Sequence, residues 1–261
     1  MAWNNCVESL RKVVNWECKD IPSDLVLAII NNESGGQIGI KAKVKCKAGD
    51  MYDASGKRHS INRAMGLMQA IPATVQFYND SAPAGEKALL EDMTGTDERA
   101  ARLQVRVGCK FLAFVNHYLH TRMPKAAPAA HLSDASPDQI KLVLTGYAVG
   151  HGATRKKLMA VKEQGYPPTF DSIKRNFPEW GKRNGKWFNR PIFYAEKVFA
   201  KYSENKAGGV PDVVKKPVEI VKRTVSNVDG KGAFIAVAFL AGAGWLLNRY
   251  FTKPRGNNAD S

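Results

Sequence analysis

The sequence predicts a mainly α-helical domain over residues 1–202, a basic flexible tether at 203–231, a transmembrane helix at 232–251 and a short basic and polar tail at 252–261. Three observations predict this class. Apolar residues before residue 202 recur at helical spacing, the tether mixes glycine, proline and lysine, and the following segment is uncharged over sixteen residues. With 44% hydrophobic and 24% charged residues, the 261-residue chain has the composition of one globular domain with an appendage.

The first strongly periodic segment is LVLAIINNE, which follows Pro22. Its apolar positions predict a buried helix that begins just after the proline. Gly35 and Gly36 then stop this helix, so Glu33 is expected at its C-terminal end.

Further helices are predicted in chain order. Pro72 starts one, and apolar spacing supports helices at 99–119, 136–150 and 191–202. The sequence shows no strand run of comparable length, apart from a candidate hairpin at 40–62 with turn residues Ser-Gly near its middle.

Charge and cysteine usage restrict the partners and the compartment. The formal net charge of +15 favours polyanions, namely nucleic acid, anionic lipid or an acidic wall polymer. Cys6, Cys18, Cys46 and Cys109 show no CxxC spacing, so neither a zinc site nor a redox motif is expected. We interpret them as buried thiols, with a Cys6–Cys18 pair expected only in an oxidising compartment.

The uncharged segment at 232–247 is the candidate membrane anchor. It is shorter than the roughly 20 residues of a usual span, but Lys231 and Arg249 can snorkel, and Trp245 and Tyr250 suit an interface. A buried helix or an amphipathic hairpin is the alternative. The first residues show no basic and apolar leader pattern, so Sec export is not predicted.

Glu33 is a lone carboxyl between an apolar helix and two glycines. Partial burial disfavours the charged form, so its pKa should rise and the group could act as a general acid near neutral pH. A solvated glutamate at a helix end is the alternative, and the ESGG stretch alone leaves both open.

A second stretch, GLMQAIPAT at 66–74, places an amide beside an apolar side chain, which suits recognition of a sugar N-acetyl group. Together the two stretches resemble the soluble lytic transglycosylase (SLT) domain, a goose-type lysozyme-like fold that cuts peptidoglycan. Five stretches match that family's motifs in order: ESGG (33–36), GLMQAIPAT (66–74), LQVRVGCKFL (103–112), GYAVG (146–150) and YAEKV (194–198).

The resemblance implies that Glu33 is the sole catalytic acid and base. As an acid it protonates the glycosidic oxygen between N-acetylmuramic acid and N-acetylglucosamine. As a base it then takes the proton of the muramoyl C6 hydroxyl, which closes a 1,6-anhydro ring. The substrate N-acetyl group stabilises the positive centre, so no second carboxylate is needed.

The resemblance also assigns substrate-binding residues. Ser34 supports the turn after the catalytic glutamate, and Met68 and Gln69 line sugar subsites. Tyr147 hydrogen-bonds to the glutamate and orients it, and Tyr194 packs behind the site. The motifs imply no metal and no cofactor.

Departures from the family pattern keep alternatives open. Ala148 replaces the family's asparagine, and an inserted loop at about 38–62 lengthens the spacer between the first two motifs. If Asp50 or Asp53 in that loop lies opposite the catalytic glutamate, a hydrolytic muramidase mechanism follows. His151 is either a saccharide contact or a surface residue.

A non-catalytic membrane or DNA-binding structural protein with a lysozyme-like fold is the other alternative. The architecture resembles the membrane-associated transglycosylases of icosahedral phages with an internal membrane. That setting implies glycan strands as substrate, a lipid membrane at the C-terminal helix, nucleic acid or anionic lipid at the tether, and other virion membrane proteins as partners. The expected location is a virion membrane, with action on the periplasmic cell wall.

Overall fold

The computed structural model describes residues 7, 9–127, 129–178, 180, 182–183, 186–187 and 191–206. This part of the chain is mainly α-helical, as the sequence predicts. Its elements in order are α1 (Arg11–Glu17), α2 (Ser23–Glu33), β1 (Lys41–Tyr52), β2 (Arg58–Met65), α3 (Pro72–Ser81), a 3-10 turn (Ala84–Glu86), α4 (Leu90–Thr94), α5 (Glu98–Arg122), α6 (Pro137–Val149), α7 (His151–Glu163), α8 (Phe170–Asn176), β3 (Lys182–Arg183), β4 (Lys186–Trp187) and α9 (Pro191–Lys206).

The 25-residue helix α5 lies at the centre of the domain and contacts α1, α3, α4, α6 and α7. Its first turn is capped by Asp97, whose carboxylate accepts a hydrogen bond from the Ala100 amide at 2.8 Å. One face is apolar and buried, including Leu112, Val115 and Leu119, while the opposite face is polar.

Helix α2 is buried on all sides because every residue from Leu25 to Ile30 is apolar. Helix α9 lies against both α2 and α6. The C-terminal end of α2, the last turn of α6 and the first turn of α9 therefore meet, and these three places contain Glu33, Tyr147 and Tyr194.

The candidate hairpin at 40–62 is confirmed as the antiparallel pair β1 and β2, which continues to Met65. Its register pairs Tyr52 with Arg58 at the tip and Lys41 with Met65 at the base, with two irregularities between. A small apolar cluster that includes Met51 and Met65 fixes the hairpin against α3 and α4.

The prediction that Cys18 and Cys109 are buried thiols is wrong, because they form a disulfide that links residues 91 positions apart. Cys18 follows α1 directly, and α1 lies against α5, so the contact between these helices brings the two sulfurs together. Cys46 is a free thiol. Sequence spacing pointed to Cys6 as the nearer partner, and the tertiary contact overrides it.

The same contact between α1 and α5 contains an ion-pair network. Glu17 has a side chain only 3% exposed, and its two oxygens accept hydrogen bonds from Arg102 at 2.7 Å and from Arg106 at 2.6 Å. Burial alone raises the pKa of Glu17, but the hydrogen bonds and charges of the two arginines outweigh it, so the net pKa is lowered.

Helix α9 continues to Lys206, past the predicted domain end at residue 202. The predicted tether beyond residue 206, the transmembrane helix at 232–251 and the tail at 252–261 lie outside the described residues. Among the helices that are described, none combines the length and apolar character needed to cross a bilayer.

Candidate active site

Glu33 occupies the last position of α2, and the turn after it is tightly fixed. The Ser34 hydroxyl donates to the Ile30 carbonyl at 3.0 Å and accepts from the Gly36 amide at 2.8 Å. Gly35 and Gly36 have φ values of 56° and 76°, which non-glycine residues rarely adopt. The predicted supporting position of Ser34 at this turn agrees with these bonds, and the chain leaves the helix at once after the carboxyl.

The Glu33 side chain lies in a largely desolvated position. Burial is the main influence and raises the pKa of the carboxyl, while Tyr194 and the positive charge of Lys197 act in the opposite direction. No other carboxylate of the described chain contributes to this pKa. The protonated form of Glu33 therefore persists to higher pH than that of an ordinary glutamate, as a general acid requires.

Tyr147 lies beside Glu33 but bonds elsewhere. Its hydroxyl donates to the backbone carbonyl of Met68 at 2.6 Å, whereas the resemblance implied a bond to the glutamate. Burial raises the pKa of Tyr147 well above its ordinary value, and the nearby charge of Glu33 raises it further. Tyr147 therefore connects α6 to the loop after β2 and borders the carboxyl.

Tyr194 is the tyrosine whose hydroxyl acts on Glu33. Its interaction lowers the pKa of the glutamate, yet the pair does not meet the distance and angle of a full hydrogen bond, and the buried hydroxyl has no other partner among the described residues. We treat it as a donor held near the carboxyl. Burial and the charge of Glu33 both raise the pKa of Tyr194, so it stays protonated.

The loop from Gly66 to Gln69 is held by hydrogen bonds of the Gln69 side chain. Gln69 has a positive φ of 49°, and its side-chain amide donates to the carbonyls of Gly66 at 2.8 Å and Ile40 at 3.3 Å. Both donor contacts go to the backbone, so the amide group stabilises the loop itself. A role of Gln69 in sugar binding remains a prediction.

Met68 differs from the expected placement. The resemblance implied that its side chain lines a sugar subsite, but this side chain is fully buried. It lies so close to Gly108 on α5 that an added β-carbon there would be 2.4 Å from the Met68 sulfur. The physical reason is that this part of the loop faces the core, and only the Met68 carbonyl reaches Tyr147.

Gln104 has a structural role in the site that the sequence did not reveal. Its fully buried amide accepts from the backbone amides of Gly39 and Leu67, both at 3.1 Å, and donates to the carbonyls of Asp92 and Gly95. One side chain thus connects the segment before β1, the loop after β2 and α4. Its place in the third motif was the available indication of this role, since a polar residue there interrupts an apolar helix face.

Asp50 and Asp53 belong to the hairpin. Asp50 pairs with Arg58 at 2.8 Å. Asp53 accepts hydrogen bonds from Ser55 and the Lys57 amide and contacts His59 at 2.7 Å; these bonds, that of Ser55 first, lower its pKa. Both carboxylates are engaged within the hairpin.

Partly exposed aromatic rings extend from Tyr147 along α5. The ring of Phe111 lies 5.7 Å from Tyr147, Phe77 lies 6.1 Å from Phe111, and Phe114 lies 4.6 Å from Phe77 and 4.8 Å from His151. His151 is therefore a member of this aromatic cluster, and burial lowers its pKa. Sequence analysis did not assign Phe77 or Phe114 to the site.

A cavity of about 200 Å³ lies between β1 and α3, lined in part by Met51, Val75 and Lys87. Asp50 also lines it, but Glu33, Tyr147 and Tyr194 do not. We therefore assign the chemistry to the junction of α2, α6 and α9, where the perturbed carboxyl lies.

Sequence comparison identifies the family of this domain, over a range that ends before α9. The family described as the Transglycosylase SLT domain matches residues 15–169, more than half of the chain. The chain therefore belongs to the SLT family, and the family resemblance is confirmed. Membership makes the protein a lytic transglycosylase that acts on peptidoglycan. No curated protein sequence and no solved structure matches the chain at a significant level.

Proposed function

We propose that the protein cleaves the β-1,4 bond between N-acetylmuramic acid and N-acetylglucosamine and leaves a 1,6-anhydromuramoyl end. The observation that supports this reaction best is the environment of Glu33. It is a desolvated carboxyl with a raised pKa, and no second carboxylate acts on it within the described chain. One carboxyl that serves first as acid and then as base suits an intramolecular ring closure.

The proposed reaction has two proton transfers. Protonated Glu33 gives its proton to the glycosidic oxygen as the bond to the muramoyl C1 breaks, and the N-acetylglucosamine hydroxyl leaves. The resulting carboxylate takes the proton of the muramoyl C6 hydroxyl, whose oxygen bonds to C1. Glu33 ends protonated, so the cycle closes without water as a reactant.

The residues around Glu33 have complementary roles in this proposal. The Tyr194 hydroxyl is a donor near the carboxyl and favours its ionised form, which is the form needed in the second step. Lys197 on the same helix acts in the same direction. The partly exposed rings of Phe77, Phe111 and Phe114 provide an apolar surface beside Tyr147 for sugar rings.

The test is mass spectrometry of fragments released from purified sacculi by the full chain and by its Glu33→Gln variant. We expect anhydromuramoyl ends from the wild type and a loss of roughly 10²–10⁴-fold in the variant, the usual contribution of a general acid and base. An Asp53→Asn variant is the matched control, since that carboxylate belongs to the hairpin turn, and it should keep the wild-type rate.

Other outcomes point to the alternatives. Reducing ends in place of anhydro ends would mean a muramidase that uses water. No release from several wall types would favour a non-catalytic structural protein. The described residues do not favour the muramidase alternative, because Asp50 and Asp53 are both bonded within the hairpin.

We also propose that the enzyme is held on a membrane, in the setting of a virion that opens the wall locally for genome delivery. The support is the uncharged sequence at 232–247 with basic residues on both sides. The test is flotation of the full chain with lipid vesicles beside a chain that lacks residues 232–261. Equal flotation of both proteins would contradict the membrane part of this proposal.

A further inference from the structure

The hairpin of β1 and β2 has an unusual concentration of positive charge. Residues 41–65 contain seven of the chain's 39 basic residues and only two of its 24 acidic ones. On β1, Lys41, Lys43 and Lys47 are all exposed, while the alternate residues Ala42 and Cys46 are half-buried. We call these three lysines the basic strip.

The charge of the basic strip is not neutralised within the described chain. None of Lys41, Lys43 and Lys47 has an acidic partner within 4 Å there, whereas Arg58 at the hairpin tip pairs with Asp50. Like charges on one face of a strand repel one another, weakly where they are exposed to water. A strand with such repulsion is best explained by an anionic partner that offsets it on binding.

The basic strip begins next to the candidate active site. Ile40 immediately precedes β1, and its carbonyl accepts hydrogen bonds from the Gly66 amide at 2.8 Å and from the Gln69 side chain at 3.3 Å. The hairpin base is thus bonded to the same loop whose Met68 carbonyl holds Tyr147. A polymer that lies in the site passes close to the start of the strip.

We propose that the basic strip binds the carboxylates of the peptide stems on the peptidoglycan strand whose sugars lie at Glu33. This inference rests on the proposed function and names a second contact for the same substrate. Each muramoyl residue of intact peptidoglycan has a peptide stem that ends in carboxylates. The charge is therefore complementary and recurs along the strand.

The length of the strip suits a repeating ligand. Six residue steps separate Lys41 from Lys47, which is about 20 Å in an extended strand. Several anionic groups along one glycan strand can therefore contact it together. Exposed charge contacts are individually weak, so the strip requires more than one of them to affect binding.

The test compares two substrates, intact sacculi and glycan strands from which an amidase has removed the stems. The variant is the full chain with Lys41→Gln, Lys43→Gln and Lys47→Gln. At low substrate concentration we expect it to release anhydro ends from sacculi roughly fivefold more slowly than the wild type. On the stem-free strands both proteins should have the same rate.

The matched control removes the same charge elsewhere, at the exposed residues Lys125, Lys156 and Lys162. It should behave like the wild type on both substrates. Equal rates for the basic-strip variant and this control on sacculi would overturn the inference. An equal fivefold loss on both substrates would also overturn it, because the strip would then act on the sugars.

A binding measurement tests the inference without relying on catalytic turnover. In the Glu33→Gln background, the basic-strip variant should sediment less with intact sacculi and unchanged with stem-free strands. If the strip variant instead lost binding only to DNA or to anionic vesicles, another polyanion would be the partner and the inference would fail. A wild type that releases no anhydro ends while this binding difference persists would contradict the proposed reaction alone.

Discussion

At the scale of the residue, the surroundings of Glu33 disfavour its charged form, while the turn after it fixes its position. Burial raises its pKa, and the apolar helix behind it provides that burial. Tyr194 and Lys197 act in the opposite direction, because both stabilise the ionised carboxylate. The group therefore keeps its proton to a higher pH than an ordinary glutamate, and its carboxylate form is still stabilised by these two neighbours.

The raised pKa of Glu33 implies a cost to stability. A carboxyl whose folded pKa lies above its unfolded value stabilises the fold below the unfolded pKa, and this contribution is lost as the pH rises through the folded pKa. Replacing Glu33 by glutamine removes that loss. We expect the Glu33→Gln variant to melt about 2–4 °C above the wild type at pH 7.5, the shift given by about 1 kcal/mol in a domain of this size.

The check is thermal unfolding of both proteins at pH 7.5 and pH 4, with Glu163→Gln as the control. Glu163 is exposed at the end of α7, so its replacement should leave the melting temperature unchanged. The difference in melting temperature between the Glu33→Gln variant and the wild type should be smaller at pH 4. A variant less stable than the wild type at pH 7.5 would show that Glu33 is not destabilised by burial.

Tyr194 gives a second prediction at this scale. Because its hydroxyl lowers the pKa of Glu33, a Tyr194→Phe variant should have a still higher Glu33 pKa. Activity that requires the protonated acid then falls at higher pH, so the alkaline limb of the rate profile should move upward. Rates of anhydro-end release across pH 5–9 measure this shift.

Tyr202→Phe is the matched control, since it removes one hydroxyl from the same helix two turns further on. Its profile should coincide with that of the wild type. A Tyr194→Phe variant with a lower rate at every pH but an unmoved limb would indicate a packing role only.

Sequence reasoning located some of these residues better than others. Glu33 was predictable because an apolar run followed by two glycines fixes a helix end locally. The burial of Met68 and the four bonds of Gln104 were not predictable, because they depend on contacts between segments distant in sequence. The hydroxyl of Tyr147 illustrates the same limit, since its acceptor is a backbone carbonyl 79 residues away.

At the scale of elements, the contact between α1 and α5 joins the start of the domain to its central helix. The Cys18–Cys109 disulfide and the bonds of Glu17 to Arg102 and Arg106 lie together there. The hairpin and helices α2, α3, α5, α6 and α9 were predicted from periodicity and turn residues. Helices α7 and α8 were not, because α7 has only three buried residues and α8 is one of the shortest helices.

The disulfide should contribute substantially to stability. Closing a loop of this length restricts the unfolded chain, and the chain-entropy model gives about 4–5 kcal/mol for a separation of 91 residues, which is an upper bound. We expect a Cys18→Ser, Cys109→Ser variant to show a lower midpoint in guanidinium unfolding. Cys46→Ser, which removes the free thiol, should leave the midpoint within experimental error.

The difference in unfolding midpoint between the wild type and the double-serine variant should depend on the redox state of the buffer. Under a strong reductant the wild type should approach the double-serine variant, and the Cys46→Ser protein should do the same. Equal midpoints for all three proteins under oxidising conditions would mean that the disulfide restricts the unfolded chain very little.

The Glu17 network predicts a dependence on pH. Its folded pKa is lowered by the two arginines, so its contribution to stability is present above the unfolded pKa and is lost as the pH falls through the folded value. A Glu17→Gln variant leaves both arginines without their carboxylate and should lose about 2 kcal/mol at neutral pH. Urea unfolding at pH 7 and pH 3 should show this difference narrowing in acid; a difference that stays constant would contradict the linkage.

At the scale of the whole molecule, the net charge of +15 favours association of the enzyme with the anionic, insoluble cell wall. Two kinds of interaction contribute: contacts of the sugars near Glu33, which are short and weakly screened, and long-range attraction by exposed basic residues. Salt separates them, because the Debye length falls from about 10 Å at 0.1 M to about 3 Å at 1 M.

We therefore expect the rate of anhydro-end release from intact sacculi, at low substrate concentration, to fall severalfold between about 0.05 M and 0.5 M NaCl. The maximal rate at saturating substrate should change much less, because salt weakens capture of the polymer and leaves the proposed proton transfers of Glu33 unaffected. Stem-free glycan strands, which keep only the lactyl carboxylate of each muramoyl residue, should show a weaker salt dependence than intact sacculi. The basic-strip variant should have a shallower dependence than the wild type on sacculi, while the Lys125, Lys156 and Lys162 control should not. If salt lowered the maximal rate on both substrates equally, it would be acting on the site itself, and the net charge would have no separate part in capture.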